Sequence, residues 1–398
     1  MTPVLRHALI AMSALACFSD AVLIAFYPQF FAQRYGMHSE LHTGAYIACI
    51  SLAVMVAFPL WARLARRVET LQLLVWTQAA AGVLCLLSAQ AQSLHAYWLL
   101  SMAMFVCKSS YLLMYPYLLR LQRPEQHAAT VGLLTLVVHL VGIVGVAAGG
   151  ALLQQVGAQL ALYSMAAGDF LQMGVCAWLL ASGRAVRVLR PGEPASGGGR
   201  ASRAVWRLAM LMLVFDFSAY LTRPFFTEHW QRLAGSHNQL VAGLVFAVPA
   251  AMALLGLLAN HRARRHQRAA WDALLPNLLI GGAGLLLQAA PSPALLLVGR
   301  CLYGWALFQA LVRLEVSVFK LSTPQAYATD YALANFFQNL GVLLASFAAG
   351  ALVAVVGQAW VFVLAAAGWG LCVGLLRWAL PDEEPRVPVS VLKDQHAH

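Results

Sequence analysis

Long runs of apolar residues, separated by short polar segments, divide the chain into regular units. Each run is apolar on every face and about 20 residues long, the length that a helix needs to cross a hydrocarbon core of roughly 30 Å. A membrane β-barrel would instead show segments of about ten residues with alternating polarity. The pattern predicts an all-α integral membrane protein with twelve spanning helices, at residues 9–31, 41–62, 71–90, 97–119, 130–153, 158–181, 206–228, 240–259, 272–290, 294–318, 330–355 and 359–379.

Basic residues fall almost entirely on one side of these spans. With the N-terminus inside, twenty Lys and Arg lie in cytoplasmic segments, and only Arg34, Arg232 and Arg300 lie on the opposite side. Positive charge stays cytoplasmic in short loops, so the bias predicts that both termini are cytoplasmic. The bias also accounts for most of the net charge of +11, and we therefore expect no nucleic-acid partner. Short loops without an N-x-[ST] sequon fit a bacterial inner (plasma) membrane.

Composition and motifs narrow the class of protein further. With 61% hydrophobic residues, 10% charged residues and a mean hydropathy of +0.71, the chain is too apolar for a soluble globular protein. All seven cysteines lie within predicted spans and form no CxxC pair, so neither a disulfide framework nor a zinc site is expected. No P-loop and no HExxH motif is present. We expect no cofactor and no enzymatic activity.

A long polar segment between the sixth and seventh spans divides the chain into two halves. Its end, PGEPASGGGRASR, is rich in Gly, Pro, Ser and Arg, as flexible solvated linkers are. Two groups of six helices in the same orientation indicate a parallel internal repeat. The predicted organisation is an N-terminal bundle at 1–181, a cytoplasmic linker at 182–205, a C-terminal bundle at 206–379 and a cytoplasmic tail at 380–398.

Matching residues in the two halves support this repeat. A shift of 196 residues places Asp20 on Asp216 and Pro28 on Pro224, in the shared pattern D-x7-P-x-F. A shift of 200 residues places RLQRPEQHAAT, after the fourth span, on KLSTPQAYATD, after the tenth. Loop-length differences absorb the four residues between the two shifts. The first match predicts that Asp20 and Asp216 occupy equivalent positions.

Two motifs give the chain its resemblance to a known family. GLLANHRARR, residues 256–265, is similar to the loop motif between the second and third helices of the major facilitator superfamily, with Asn260 at the acidic position. The first-half loop PLWARLARRV keeps the basic residues and has Arg63 at that position. GVAAGG, residues 145–150, is similar to the family's antiporter motif and equally to ordinary small-residue packing between membrane helices. The chain thus resembles a twelve-helix major facilitator transporter over its whole length.

This resemblance implies a central cavity lined by helices 1, 4, 7 and 10. A charge at the bilayer centre costs roughly 2.5 to 3.5 kcal/mol on insertion scales, so charges within spans should face water or protein. Pairing that merely locks helices together is the alternative. The seventh charge within spans, Asp169 on the sixth helix, is as well explained by an inter-helix hydrogen bond. The other six fall on the four cavity helices and are Asp20, Lys108, Asp216, Arg223, Arg313 and Glu315.

The charged residues suggest a division of roles. Asp20 and Asp216 are the predicted proton carriers, because desolvation favours a protonated carboxyl and a nearby cation opposes it. Arg223 follows Asp216 by seven residues, or two helical turns, which predicts that both lie on one face. Cationic side chains would bind carboxylate or hydroxamate oxygens of the substrate.

Polar side chains complete the predicted substrate site. Arg313 and Glu315 are two residues apart and point in different directions, so one of them is expected to face the cavity. Three amides on the eleventh span recur at helical spacing, and their polar face either contacts substrate or joins a neighbouring helix. The predicted substrate-binding set is Lys108, Tyr111, Arg223, Arg313, Glu315, Asn335, Gln338 and Asn339.

Together these features predict a proton-coupled secondary transporter that exports a small polar or anionic organic molecule by alternating access. The segment FSDAVLIAFYPQFF resembles part of a subgroup of bacterial exporters that release siderophores. A general drug or metabolite efflux pump is the alternative, and a non-transporting membrane sensor is the alternative from another class. The expected partners are a small-molecule substrate, protons and the lipid bilayer, and the expected state is a monomer.

Overall fold

The structure, a computed structural model, describes residues 3–65, 67–114, 117–118, 121, 124–184, 202–266, 271–322 and 327–380. Most of the predicted linker and nearly all of the predicted tail lie outside these residues. A short 3-10 helix at Ser109–Leu113 continues one of the α-helices. The α-helices are α1 Pro3–Ile24, α2 Tyr27–Tyr35, α3 Glu40–Leu64, α4 Thr70–Gln90, α5 Leu94–Lys108, α6 Pro124–Gln155, α7 Ala158–Ala181, α8 Arg203–Leu221, α9 Phe226–Ala234, α10 Gln239–Arg265, α11 Leu274–Ala289, α12 Pro293–Leu321, α13 Tyr327–Val356 and α14 Gln358–Ala379.

These helices confirm the predicted all-α membrane architecture. Eleven described segments are long and apolar enough to cross a bilayer, and α11 is a shorter apolar helix at the predicted ninth span. The first and seventh spans are each broken into two helices, α1 with α2 and α8 with α9. The other spans follow the apolar runs with shifts of a few residues at their ends. The described residues therefore form twelve helical spans, counting α11, in two groups of six.

The two helix breaks show how the halves correspond. Each short helix after a break has nine residues, begins after a phenylalanine cap at Phe26 or Phe225, and ends at a left-handed glycine, Gly36 or Gly235. The two phenylalanines are 199 positions apart, and so are the two glycines. Pro28 lies within α2, whereas Pro224 lies in the break before α9. The shift of 196 is therefore wrong for these helices, although the repeat itself is confirmed.

Packing contacts between helices confirm the corrected shift. Ser19 packs against Gly168 in the first half, and Ser218 packs against Gly368 in the second. The two serines are 199 residues apart and the two glycines are 200 apart. Equivalence at 199 pairs Asp20 with Ala219, so Asp216 has no acidic counterpart. Asp216 lies three residues before Ala219. It is therefore about 4.5 Å closer to the start of its span, measured along the helix axis.

The halves touch along two helix pairs, α3 with α13 and α6 with α10. Glycines permit the closest approach, because a Cβ at Gly44 would lie 2.8 Å from the Ser346 carbonyl oxygen. Gly150 likewise packs on the Gln239 backbone, and Gly350 packs on the Glu40 backbone. Both sets of contacts lie toward the end of the bundle that carries the α2–α3 and α9–α10 loops. We call this the distal end, because it lies opposite the first and last described residues.

Hydrogen bonds between the halves close the distal end. The Gln29 side-chain amide donates to Thr227 Oγ1 at 3.0 Å and approaches the side-chain oxygen Oε1 of Gln231 at 3.4 Å. Thr227 Oγ1 in turn donates to the Ala25 carbonyl at 2.7 Å. All three polar side chains are buried. These contacts join the tips of the first and seventh spans, and we call them the distal seal.

Basic residues at the ends of several described helices lie on one side of the bundle. Arg63 in the last turn of α3, Arg184 after α7 and Arg265 at the end of α10 lie at the end that carries the termini, whereas Arg34 lies at the distal end. Arg300, predicted near the start of the tenth span, lies in the distal part of α12. Helix α12 begins at Pro293, so Arg300 lies two turns inside it and is only 4% exposed.

Candidate functional site

A cavity of about 190 Å³ lies between the two halves, below the distal seal. Apolar side chains from α1, α3, α5 and α13 form much of its wall. Each broken span contributes a charge, Asp20 from the first and Arg223 from the seventh, and the α5 segment adds Lys108 and Tyr111. Four of the predicted site residues or proton carriers therefore do lie together in one cavity.

Lys108 joins two carboxylates in the N-terminal half. Its Nζ lies 3.1 Å from Asp20 Oδ1 and 3.3 Å from Asp169 Oδ1, and it donates to Ser19 Oγ at 2.7 Å. The Asp20 side chain is 30% exposed, whereas the Asp169 side chain is 0% exposed. We call Asp20, Lys108 and Asp169 the acidic network. Two carboxylates share one cation in it, and only Asp20 is accessible from the cavity.

Local sequence explains why these three side chains meet. Gly168 lacks a Cβ and lets α7 approach α1 at Ser19, whose hydroxyl donates to the Met165 carbonyl at 3.1 Å. The α-helix that carries Lys108 ends at that residue and continues as the 3-10 helix, which turns Tyr111 toward the cavity. The Tyr111 hydroxyl lies within hydrogen-bonding reach of the Asp20 carboxylate. Asp169 is thus a part of the site that its sequence position did not reveal.

Arg223 occupies the break between α8 and α9. Its guanidinium carbon lies 5.0 Å from the Tyr220 ring centre and 5.7 Å from the Phe246 ring centre. Among the described residues, no carboxylate lies within 4 Å of this guanidinium. Because the helix is interrupted at Thr222, the seven-residue spacing from Asp216 does not place the two side chains on one face. Arg223 lines the cavity, and Asp216 is not among its lining residues.

Asp216 lies in a separate, more closed environment of the C-terminal half. It is 5% exposed, and its Oδ2 atom has no hydrogen-bond partner within the described part of the chain. The Gln338 side chain lies within hydrogen-bonding reach of its carboxyl group, and Gly341 packs on its Cβ. Glu315 is close enough to interact electrostatically with it. The two predicted proton carriers therefore lie in different surroundings and do not meet.

The remaining predicted substrate residues lie outside the cavity wall. Arg313 reaches Asp272 with an Nη1 to Oδ2 distance of 3.9 Å. Asn339 donates to both the backbone and the side-chain oxygen of Asn335, at 2.7 and 2.8 Å. Both amides are exposed. Of the three amides on α13, only Gln338 is close to an ionisable candidate residue.

The family-like motifs have clear packing roles. A Cβ at Gly149 would overlap the Val22 carbonyl oxygen, and Gly145 packs on Ala21 of the same helix. These two glycines of GVAAGG therefore allow α6 to lie directly against α1. Asn260, at the acidic position of the loop motif, is buried and donates to the Gln309 side chain at 2.7 Å. It anchors the end of α10 to α12 through an amide rather than an ion pair.

Two six-helix bundles with a charged cavity between them define a membrane transporter. Residues 9–275, about two thirds of the chain, match the Major Facilitator Superfamily. The chain belongs to this family of transporters. A comparison with curated protein sequences finds no match.

Solved transporters share the fold at low sequence identity. The nucleoside transporter NupG is 14% identical, with 96% of this chain and 100% of that chain covered and a TM-score of 0.74. A bacterial homologue of the human lysosomal transporter Spinster is 15% identical, with 97% and 100% covered and a TM-score of 0.74. The POT family transporter PepTSo is 10% identical, with 96% and 99% covered and a TM-score of 0.77. At these identities the similarity shows the fold alone.

Proposed function

We propose that this transporter carries a small anionic organic molecule, binds its coupling proton at Asp20 and opens its cavity alternately to the two sides of the membrane. One observation supports this best. Arg223 has no carboxylate within 4 Å among the described residues, and it lines the same cavity as the acidic network. A cation for the substrate and a carboxyl group for the proton are thus available on opposite halves.

The acidic network suits reversible proton binding. With both carboxylates ionised, one Lys108 cation compensates two negative charges in a site of low dielectric constant. A proton on Asp20 removes one of these charges, and Lys108 keeps its ion pair with Asp169. Asp20 is the natural proton acceptor because it is the accessible member, at 30% side-chain exposure.

Arg223 suits the anionic part of a substrate. A guanidinium offers several N–H donors in one plane and binds carboxylate or hydroxamate oxygens with two parallel hydrogen bonds. Its aromatic neighbours Tyr220 and Phe246 hold it by cation–π contacts without neutralising its charge. The apolar wall of the cavity suits the rest of an organic molecule.

Charge balance predicts how the proton and the anion influence each other. A proton on Asp20 makes the cavity more positive, so it strengthens binding of an anion at Arg223. Thermodynamic linkage then requires that the anion also strengthens proton binding. Mutual reinforcement favours transport of both in the same direction, whereas proton exchange requires that they compete.

Export of a siderophore is the more specific prediction of the sequence, and it stays a prediction. Siderophores with carboxylate or hydroxamate groups carry the oxygens that Arg223 would bind. The secreted and retained metabolites of a strain that lacks this protein test the direction. An exporter's substrate accumulates in the cells of that strain, whereas an importer's substrate stays in the medium.

Flux into proteoliposomes tests the proposed function directly. We expect saturable uptake of an organic anion that increases when a pH gradient supplies protons on the side of the anion. Arg223→Gln should lower uptake at limiting substrate by about tenfold or more, the usual loss when a charged hydrogen-bonding partner is removed. Arg207→Gln is the matched control, because Arg207 is exposed and stacks on Trp378 far from the cavity.

The same assay separates this function from general drug efflux, which the apolar cavity wall favours. A drug pump would carry neutral or cationic amphipathic compounds, and the Arg223→Gln variant would transport them as well as the parent protein does. Gradient-dependent flux of such compounds with no flux of any organic anion would contradict the proposal.

A further inference from the structure

A second arginine lies behind the cavity wall of the C-terminal half. The Arg300 guanidinium carbon lies 3.7 Å from the Phe226 ring centre and 5.6 Å from the Phe246 ring centre. Its Nη2 donates to the Phe246 carbonyl at 2.8 Å, and its Nη1 approaches the Gln288 side-chain oxygen at 3.4 Å. Arg300 is 4% exposed. It is therefore a buried cation held by aromatic rings and neutral oxygens.

Nothing among the described residues compensates the charge of Arg300. No described carboxylate lies within 4 Å of it, and its Nε atom is buried with no hydrogen-bond partner. Another cation, Arg223, is close enough to interact with it electrostatically. Both guanidinium groups contact the same ring, Phe246, from 5.6 and 5.7 Å. Two like charges thus lie on the C-terminal side, Arg223 in the cavity wall and Arg300 behind it, and no carboxylate of the described ranges lies within 4 Å of either.

Such an arrangement is costly for a purely structural purpose. A buried charge without a counter-charge is destabilising, and a second like charge nearby adds repulsion. A neutral side chain of similar length could fill the space beside Phe226 and Gln288 without either cost. The two uncompensated charges are explained if the missing anion arrives with the substrate.

We propose that Arg300 is a positioning residue that gives the cavity its selectivity for aromatic oxyanions. Arg223 contacts the anionic group, while Arg300 raises the positive potential around Arg223 and fixes Phe246 beside it. Tyr220 and Tyr111 line the cavity and provide ring surfaces for an aromatic group attached to the anion. This inference rests on the proposed function and names its substrate class, aromatic carboxylates and related oxyanions.

Benzoate and its neutral analogue benzamide are the probes that test this selectivity. The full chain is purified in detergent, and binding of each probe is measured by titration calorimetry at one fixed pH. We expect benzoate to bind at least about tenfold more tightly than benzamide, because only benzoate gains from the two cations. Equal binding of the two probes to the parent protein would overturn the inference.

Substitutions at position 300 separate charge from packing. Arg300→Gln should weaken benzoate binding about tenfold and leave benzamide binding unchanged, since it removes the charge at a distance from the probe. Arg300→Lys keeps the charge and should lose less than about threefold. A Lys variant that loses as much as the Gln variant, or a folded Gln variant that binds benzoate like the parent, would contradict the proposal. Should the Gln variant fail to fold, the Lys variant and the salt dependence of benzoate binding decide alone.

These experiments distinguish a failure of the inference about Arg300 from a failure of the proposed transport function. Arg207→Gln is again the control and should bind both probes like the parent protein. Selective benzoate binding without gradient-driven flux would leave the inference about Arg300 intact and remove the transport proposal. If the Arg300→Gln variant shows gradient-driven flux of an anion with the same selectivity as the parent protein, the transport proposal stands and the inference about Arg300 is removed.

Discussion

The two halves share one fold, yet their ionisable groups are arranged in opposite ways. In the N-terminal half, Lys108 lies within 3.1 and 3.3 Å of two carboxylates, and one of these is exposed to the cavity. In the C-terminal half the position equivalent to Asp20 is Ala219, and the position equivalent to Asp169 is Trp369. Trp369 is fully buried and packs on Phe215 instead of joining an ion pair. One half of the repeat thus holds an ionic network where the other holds an aromatic core.

This asymmetry separates two tasks that a symmetric pair of sites would combine. Under the proposed function, the accessible carboxyl group of the N-terminal half would bind the proton, and Arg223 with Arg300 of the C-terminal half would serve the anion. The distal seal joins the halves through Gln29 and Thr227, just beyond the cavity. Binding on either half can therefore influence how firmly the halves are joined, which is the requirement for coupled transport.

Replacing each of the two aspartates in turn by asparagine should give the largest difference in transport between the halves. Asp20→Asn should abolish the response of transport to a pH gradient, because the accessible proton acceptor is gone. Asp216→Asn should change it by less than a few fold, because this residue is 5% exposed and does not line the cavity. Uptake into proteoliposomes with and without a pH gradient measures the difference. Equal losses in the two variants would restore the symmetric assignment predicted from the sequence.

Removal of the shared cation should cost the N-terminal half much of its stability. Lys108→Met leaves two carboxylates without their partner, and breaking a buried ion pair in this way costs about 3–5 kcal/mol. Thermal unfolding of the detergent-solubilised protein measures the loss. The paired change Lys108→Met with Asp169→Leu removes both buried charges and should recover most of it. If the paired variant is as unstable as the single one, packing rather than charge explains the effect.

The halves also differ in how closely their helices pack. Gly149 lies directly against the Val22 carbonyl oxygen, and its equivalent at a shift of 200 is Ala349. Gly149→Ala should therefore destabilise the protein by about 1–3 kcal/mol through overpacking. Gly142→Ala on the same helix is the control, because a Cβ added there would have no neighbouring atom within 4 Å. A Gly149→Ala variant that unfolds at the same temperature as the parent would show that α1 and α6 do not pack this closely.

The smallest expected effect concerns the seal between the halves. Thr227→Val removes one hydrogen bond to Gln29 and one to the Ala25 carbonyl, each worth about 1 kcal/mol. We expect the distal end to open more often, so a reagent added from that side should label a cysteine introduced in the cavity several-fold faster. Thr227→Ser keeps the hydroxyl group and should label at the parent rate. Unchanged labelling of the Val variant would exclude the seal as a barrier.

Sequence alone predicted the architecture because its signals are local. A run of apolar residues identifies a span wherever the span packs. The register of the repeat was mispredicted because Pro28 and Pro224 belong to the same short sequence pattern, although Pro28 lies within the helix after its break and Pro224 lies in the break itself. The break is visible only in the backbone, through the caps at Phe26 and Phe225.

The sequence predicted part of the site, because some of its residues are recognisable locally and others depend on contacts between distant segments. Asp20, Lys108 and Arg223 were recognisable because charges within apolar spans are costly. The role of Asp169 depends on contact between α1 and α7, which residues about 150 positions apart in the sequence do not reveal. Arg300 was counted among the charges of the side opposite the termini because it lies near the start of the tenth predicted span, and burial against Phe226 and Phe246 depends on packing that the sequence does not reveal.

The protonation of Asp20 itself can be observed by infrared difference spectroscopy between acidic and neutral pH. A carboxyl group that gains a proton produces a carbonyl stretching band, and replacement by asparagine removes that band. Our assignment predicts that the band is lost in Asp20→Asn and remains in Asp216→Asn. A band that survives in Asp20→Asn and disappears in Asp216→Asn would place the coupling proton in the C-terminal half and contradict the division of tasks between the halves.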